Sequence, residues 1–307
     1  MLYVSTRNQT DTFTAYRALN EKTAPDGGVY IPFHLPHFTL EELNTLKSQS
    51  CCDVIAQILN LFFGVHLTGL DVEFEISKVP FKTETMQHKF LVAECWRNPG
   101  YSYDYILRSL YGMMVENKLV NRLPVGWACV GIKIALLFGM YSVMGSAMQG
   151  VDIAITAGDY SDLSAIAYAK AMGLPVGTTI CACDDDSAFW NLINKGEYAS
   201  DATEPDYMES ILCLWFGKDA FNSTGSGKLV YRVYEEQQAI LTDNAFAAVV
   251  SGKRVDSVIS NMHRTNGYAF DIEAAWAYAG LQDYRSSTGV SKDTLLFSKN
   301  RPVQIKE

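Results

Sequence analysis

The sequence has no cluster of lysine and arginine, and its acidic side chains outnumber the basic ones. Its 307 residues include 34 Asp and Glu against 25 Lys and Arg, which gives a formal net charge of −9 at pH 7. Basic surfaces bind the phosphates of nucleic acids, so this charge balance argues against a nucleic acid partner. We expect the partner to be a small molecule or another protein.

Regularly spaced cysteine pairs are also missing. The seven cysteines are an odd number without a repeated spacing, and the sequence has no recognisable secretory signal. This pattern predicts no disulfide framework, and we expect a reducing, cytoplasmic setting. Cys181 and Cys183 precede three aspartates, but no second cysteine pair or nearby histidine accompanies them, so we expect no metal site.

Long apolar stretches are absent except for one, from Leu123 to Met148. This stretch contains Lys133, is opened by a proline and has glycines at intervals. A membrane-spanning helix is rarely interrupted by a charge in this way. We therefore predict a helix buried inside the protein and no membrane insertion.

Segments typical of strands and helices alternate in the second half of the chain. Residues 151–155 form an apolar run, residues 156–162 a loop of small and polar residues, and residues 163–172 an alanine-rich helical segment. Buried apolar strands that alternate with helices indicate an α/β fold. We predict three αβα layers around a mostly parallel sheet.

Two segments near the amino terminus carry a specific pattern. Residues 3–7 are YVSTR, and residues 24–32 are APDGGVYIP, which predicts a Pro-Asp-Gly turn leading into a strand. The pair resembles the amino terminus of threonine synthases, where Tyr-x-Ser-Thr-Arg and Ala-Pro-Asp-Gly-Gly-Leu-Tyr-x-Pro recur. The resemblance implies the fold of enzymes that depend on pyridoxal 5'-phosphate (PLP), shared with the tryptophan synthase β chain.

The same resemblance implies a domain organisation. Residues 1–90 correspond to the amino-terminal region of the family and residues 91–307 to a truncated large domain. In the family a small mobile domain begins with a Ser-Gly-Asp-Thr-Gly loop, which this sequence does not contain. We expect most of that domain to be deleted near residues 116–121. The exposed cleft would then be open or filled by local aromatic side chains. The candidates are Trp96, Tyr101, Tyr103 and Trp127.

Residues 91–110, LVAECWRNPGYSYDYILRSL, form a strand, a loop and the start of a helix. They resemble the segment Glu-Leu-Phe-His-Gly-Pro-Thr-x-x-Phe-Lys-Asp of threonine synthases, whose lysine holds PLP as a Schiff base. Glu94 and Pro99 match that pattern, and Tyr103 nearly matches it. The lysine position is occupied by Asp104, and a carboxylate cannot form an imine.

The loop at 156–162 resembles the family's Pro-Thr-Gly-Asn-Phe-Gly-Asp loop, which cups the PLP phosphate. A strand, a small-residue loop and a helix amino terminus together favour an anion. The resemblance makes this loop a degenerate phosphate site, in which an added carboxylate and a Cβ atom weaken phosphate binding. Its residues are Gly158, Asp159, Tyr160, Ser161 and Asp162.

Near the carboxyl terminus, Lys299 takes the place of the family threonine that faces the pyridine nitrogen of PLP. A cation there would oppose a protonated pyridine ring. Together with Asp104 and the altered phosphate loop, this places three departures on expected cofactor contacts. The resemblance implies that PLP is the ancestral cofactor, and we expect that this chain has lost it.

The leading hypothesis is a catalytically inactive threonine synthase homologue that acts as a binding or interaction protein, in the form of a homodimer. The second is a PLP-dependent lyase of the threonine synthase type in which Lys299 or Lys133 supplies the imine. The third is a non-catalytic site for a small phosphorylated or anionic ligand at the 158–162 loop.

Overall fold

The computed structural model describes residues 1–97, 102–115, 122–201, 207–217, 222–224 and 228–304. The deletion expected near 116–121 falls outside the described residues. Within them, helices and short strands alternate along the chain. The strands are β1 (Leu2–Ser5), β2 (Phe13–Thr14), β3 (Tyr30–Pro32), β4 (Lys82–Met86), β5 (Phe90–Glu94), β6 (Val151–Thr156), β7 (Val176–Cys183), β8 (Glu197–Asp201), β9 (Asn222–Thr224), β10 (Lys228–Arg232), β11 (Ala245–Val249) and β12 (Thr294–Ser298).

The helices vary from one and a half to five turns. They are α1 (Ala15–Asn20), α2 (Leu40–Leu46), α3 (Cys51–Phe63), α4 (Gly69–Ile76), α5 (Tyr103–Met114), α6 (Gly126–Met144), α7 (Ser161–Ala171), α8 (Ala188–Lys195), α9 (Met208–Phe216), α10 (Gln238–Asn244), α11 (Gly252–Asn266) and α12 (Ile272–Thr288), with short 3-10 turns at Gly145–Met148 and Glu235–Gln237.

A six-stranded sheet forms the centre of the molecule, in the order β11-β7-β6-β12-β5-β4. Every neighbouring pair is parallel except β4 and β5. The strands β6 and β12 are buried along most of their length, as expected when helices cover both faces. The predicted α/β fold with a mostly parallel sheet is confirmed.

Helices cover the two faces of this sheet. α12 packs on β6, β7, β11 and β12, and α11 packs beside α12. On the other face α7 packs on β7, α6 packs against α7, and α3 packs behind α6. The result is the predicted three-layer arrangement, with a hydrophobic core on each side of the sheet.

The helix α6 is buried along almost its entire length. Its glycines allow α3 to approach closely, since a Cβ atom at Gly131 would lie 2.7 Å from Phe63 and one at Gly139 would lie 2.7 Å from Ile55. Within the described chain, the stretch 126–148 is long and apolar enough to cross a membrane, yet 83% of its apolar window is buried inside the fold. The predicted buried helix is confirmed.

The two amino-terminal motifs contact each other. β1 and β3 pair antiparallel in a small sheet with β2. The hydroxyl of Ser5 donates to Asp26 Oδ1 over 2.7 Å, and Asp26 also accepts from the backbone N–H of Gly28. A Cβ atom at Gly28 would lie 2.2 Å from Ser5 Oγ, so this turn requires glycine.

Candidate functional site

A pocket of about 660 Å³ lies at the carboxyl edge of the central sheet. The segments that follow β6, β7 and β12 line it, together with the first turns of α5 and α12 and one face of α6. Parallel strands place their carboxyl ends at the same edge, and open α/β sheets bind ligands there. This pocket is the candidate functional site.

The structure brings most of the predicted site residues to this pocket. Asp104 and Lys299 line it, as do four residues of the loop, at positions 158, 159, 160 and 162. Ser161 is fully buried behind the lining. Residues more than 100 positions apart in the sequence thus meet at one site.

The loop after β6 ends at the amino terminus of α7. Gly158 and Tyr160 both have positive φ angles, of 49° and 65°, so the chain reverses direction sharply here. The carboxylate of Asp159 accepts a hydrogen bond of 3.0 Å from the backbone N–H of Ser161 and another from the Ser161 hydroxyl. A side-chain carboxylate of this loop therefore already accepts from one of the helix amino-terminal donors that could bind a phosphate.

Asp162, the last residue of this loop, forms ion pairs with two lysines. Lys133 Nζ, from α6, lies 2.9 Å from Asp162 Oδ1, and Lys299 Nζ lies 2.5 Å from Asp162 Oδ2. Lys299 also lies 3.2 Å from Glu273 and above the ring of Tyr103. The three side chains of Lys133, Lys299 and Asp162 are between 9% and 18% exposed. One largely buried carboxylate thus pairs with two ammonium groups.

Charge coupling fixes the ionisation states of this network. Burial alone would raise the pKa of Asp162, but the positive charges of Lys133 and Lys299 more than offset burial and lower that pKa. Burial alone would lower the pKa of each lysine, and the charge of Asp162 reverses that effect, so both lysine pKa values are raised. At neutral pH both amines are therefore protonated and are poor nucleophiles.

Lys133 also donates a hydrogen bond of 2.6 Å to the hydroxyl of Ser161. A serine beside a lysine resembles a nucleophile with its general base, but such a base must be neutral. Here Lys133 is paired with Asp162, and Ser161 is fully buried. The pair stabilises the loop and is not arranged for acyl transfer.

Asp104 lies in the first turn of α5, whose N-cap is Ser102. Its side chain is exposed and reaches the mouth of the pocket. The structure gives Asp104 no geometry for covalent chemistry.

Only one of the aromatic residues expected to fill the cleft does so among the described residues. Tyr103 lines the pocket, whereas Trp96 donates to Ser298 Oγ over 3.0 Å and Trp127 is buried in the amino-terminal core. Tyr101 lies outside the described residues. The expectation for Trp127 is wrong, because α6 turns this indole towards Tyr3 and Phe62, away from the pocket.

Several lining residues were not predicted. Glu273 and Trp276 come from the first turns of α12, Asp184 follows β7, and Cys129 lies one turn before Lys133 on α6. Glu273 follows Asp271, which caps α12 and accepts from Ala274 N over 2.9 Å. An aspartate that caps a helix is a recognisable sequence signal, and Asp271 could have been used to predict that Glu273 lies in the first turn of a helix at the sheet edge.

The Asp162 network gives a prediction for pH dependence. A carboxyl group whose pKa is lowered on folding stabilises the protein fully above its unfolded pKa of about 3.9, and that contribution is lost as the pH falls towards the folded value. Replacing Asp162 with Asn should therefore reduce the free energy of unfolding at pH 7 by more than it does at pH 3. Urea unfolding of both proteins at the two pH values measures this difference.

The matched control is Asp184→Asn, an exposed carboxylate that lines the same pocket. Its effect on the free energy of unfolding should be small at both pH values. An Asp162→Asn effect that is equal at pH 3 and pH 7 would contradict the ionisation state assigned to Asp162.

Comparison with known proteins finds similarity to threonine synthases. Residues 2–78 match the family model described as the threonine synthase N terminus. Threonine synthase from Pseudomonas aeruginosa (strain PAO1) is 23% identical over 216 residues, which cover 64% of this chain and 45% of that protein. The chain thus matches less than half the length of this curated relative.

Solved structures extend the likeness over the whole chain. A PLP-bound threonine synthase from Brucella melitensis superposes with a TM-score of 0.78 at 17% identity, covering 98% of this chain and 89% of that one. The chain has a threonine synthase-family fold. Threonine synthase from yeast superposes on this threonine synthase-fold protein with a TM-score of 0.72 at 14% identity, covering 98% and 87% of the two chains. The predicted family resemblance is confirmed at the level of the fold.

PLP is the cofactor of the threonine synthase family, and the residues of this threonine synthase-fold protein do not fit it. The described pocket offers Lys133 and Lys299 as amines, and both are held as ammonium ions by Asp162. Asp159 occupies one of the loop donors that could bind a phosphate.

Proposed function

We propose that this threonine synthase-fold protein forms no Schiff base with PLP and does not catalyse threonine synthesis. The observation that carries the proposal is the pairing of both pocket lysines with Asp162. An imine requires a neutral amine, and the ion pairs with Asp162 make the neutral form of both described lining lysines rarer than that of an exposed lysine. Asp104 supports the same conclusion, because it occupies the position of the family's PLP-binding lysine and a carboxylate cannot form an imine.

In this proposal the protein binds a small molecule in the pocket without covalent chemistry. The volume of about 660 Å³ is within the range of small-molecule sites. The described lining contains five carboxylates and two lysines, so its net charge is negative. This charge favours neutral or cationic ligands and disfavours phosphorylated ones.

A second candidate, a site for a small phosphorylated ligand, has one observation in its favour. The loop after β6 does lead into the amino terminus of an 11-residue helix, which suits an anion. Asp159 opposes this use because its carboxylate accepts from the Ser161 N–H. Calorimetric titration with phosphohomoserine and with inorganic phosphate decides between the two, and heat from either would favour the second candidate.

The proposal includes three expectations about context. Most of the small domain is deleted between α5 and α6, since α5 ends at Met114 and α6 begins at Gly126. The protein works in a reducing, cytoplasmic setting, which is supported by seven cysteines that are free and buried. It forms a homodimer, the commonest assembly of soluble proteins, and sedimentation of the purified protein measures this.

Incubation with PLP followed by borohydride reduction tests the proposal. We expect no yellow stoichiometric complex, because the ion pairs with Asp162 raise the pKa of Lys133 and Lys299 and leave a smaller neutral fraction than on an exposed lysine. Peptide mapping should find label on exposed lysines such as Lys253 and none on the two pocket lysines. Spectra and mass spectrometry of the reduced protein give both results.

The control is the same chain unfolded in urea, in which every lysine is accessible. Label on the peptides of Lys133 and Lys299 after unfolding proves that the mapping detects them. Stoichiometric label on either residue in the folded protein would show that the proposal is wrong, and would favour a PLP-dependent lyase with a relocated lysine.

A further inference from the structure

The two pocket lysines differ in whether a carboxylate other than Asp162 also pairs with the ammonium group. Lys299 has a second carboxylate, because Glu273 lies 3.2 Å from its ammonium group. Within the described residues, Lys133 has an ion pair with Asp162 at 2.9 Å and a hydrogen bond to the uncharged Ser161 hydroxyl. Loss of the Asp162 charge would therefore leave Lys299 paired and Lys133 without a direct counterion.

The surroundings of Lys133 would then favour its neutral form. Its side chain is 9% exposed, and the groups that act on its charge are Asp162, Cys129, Lys299 and Asp159. Burial disfavours an ammonium ion, and so does the neighbouring positive charge of Lys299. Cys129 and the carboxylate of Asp159 act in the opposite direction, but each more weakly than Asp162, and Asp159 is hydrogen-bonded to Ser161.

The amine is also placed where a ligand could reach it. Lys133 lines the large pocket, and it also lines a small apolar cavity of about 20 Å³ behind it, between α6 and α7. Asp162 lines both spaces. A neutral amine at this position would face the open pocket over the carboxyl edge of the sheet.

We infer that Asp162 keeps the Lys133 amine from acting as a nucleophile, and that Lys133 is a latent imine-forming residue for phosphate-free aldehydes. The inference rests on the proposed function, in which the native pocket forms no imine. In the reaction the ammonium group first loses a proton to solvent. The nitrogen lone pair then attacks the aldehyde carbon, and the resulting carbinolamine loses water to give the imine.

The aldehyde class follows from the loop after β6. Asp159 accepts from Ser161 N and places a negative charge at the helix amino terminus. A phosphorylated aldehyde would be repelled there, whereas pyridoxal, which lacks the phosphate, would not. Pyridoxal is therefore the probe that suits this pocket.

The test compares the wild-type protein with Asp162→Asn. Both are incubated with pyridoxal at neutral pH, reduced with borohydride, digested and mapped by mass spectrometry. We expect at least about tenfold more label on Lys133 in Asp162→Asn, the change produced by lowering an amine pKa by one unit while it is still mostly protonated. Asp184→Asn, which changes another carboxylate of the pocket lining, should label Lys133 no more than the wild type does.

Each outcome decides one question. Label on Lys133 in the wild type at neutral pH, to the extent seen on exposed lysines, would overturn both this inference and the proposed function. A silent wild type with label in Asp162→Asn on Lys299 or on exposed lysines alone would overturn the inference and leave the proposed function standing. Far-ultraviolet circular dichroism shows whether Asp162→Asn is folded.

A second measurement needs no variant. Pyridoxal labelling of the wild-type protein is followed as the pH is raised, and Lys133 is compared with the exposed Lys253. We expect Lys133 to acquire label only at a higher pH than Lys253, because Asp162 stabilises its ammonium form. Equal onset for the two residues would overturn the inference.

Discussion

Replacing Trp127 with Ala should lower the free energy of unfolding by about 3–5 kcal/mol, the usual loss for a buried large aromatic residue. Trp127 is fully buried at the start of α6. Its ring packs edge-on against Tyr168 at a centroid distance of 4.9 Å and against Phe62 at 5.6 Å, and it also contacts Tyr3. The indole therefore joins β1, α3, α6 and α7, and its removal leaves a cavity at their common contact.

Urea unfolding monitored by circular dichroism measures this loss. The matched control is Trp190→Ala, because Trp190 is only partly buried on α8 and packs against the ammonium group of Lys195. That change should cost less than about 2 kcal/mol. Equal losses for the two variants would mean that Trp127 does not stabilise the packing of β1 and α3 against α7.

Replacing Glu209 with Ala should cost about 3–5 kcal/mol, the usual loss when one partner of a buried ion pair is removed. Glu209 lies in α9 and is fully buried. It accepts from Arg7 Nη2 over 2.6 Å, from Arg7 Nε over 3.1 Å and from the hydroxyl of Thr6 over 2.9 Å. Its loss would leave the guanidinium group of Arg7 without the carboxylate that faces it.

The control for this prediction is Glu197→Ala. Glu197 pairs with Arg232 over 2.9 Å, but both side chains are more than half exposed. An exposed pair of this kind contributes about 0–1 kcal/mol. If Glu209→Ala also costs less than about 1 kcal/mol in urea unfolding, the buried pair does not anchor the amino terminus to α9.

The amino-terminal motif had a local and a non-local part. The sequence predicted the turn at residues 24–32, because Pro-Asp-Gly favours a turn whatever surrounds it. It did not predict that Arg7 binds Glu209, which lies 202 positions later in the sequence. Nothing in the residues around Glu209 marks that glutamate as buried.

Secondary structure was predictable where the signal was local. β6 and α6 follow from runs of apolar residues, and their positions agree with the structure. The small antiparallel sheet of β8, β9 and β10 was not predicted. Its order is β8-β10-β9, and pairing between strands that are not adjacent in sequence has no local pattern.

The residues of the site were recognised in part. Asp104, Lys299 and the 158–162 loop were identified from their resemblance to threonine synthases, and the structure brings all but Ser161 to the pocket wall. Lys133 was predicted to lie in a buried helix and was named as a possible imine lysine. Its pairing with Asp162, 29 positions away, was not predicted.

By itself the sequence determined the α/β class, the buried central helix, the family resemblance and the identity of the side chain at each site position. These properties depend on composition, periodicity and short motifs, which are local. The tertiary structure alone decided which charges face each other. It paired Lys133 and Lys299 with the carboxylate of Asp162. It also brought the Asp159 carboxylate to the backbone N–H of Ser161 at the amino terminus of α7. The reactivity of an amine depends on the charges within a few ångströms of it, and chain folding brings those charges together.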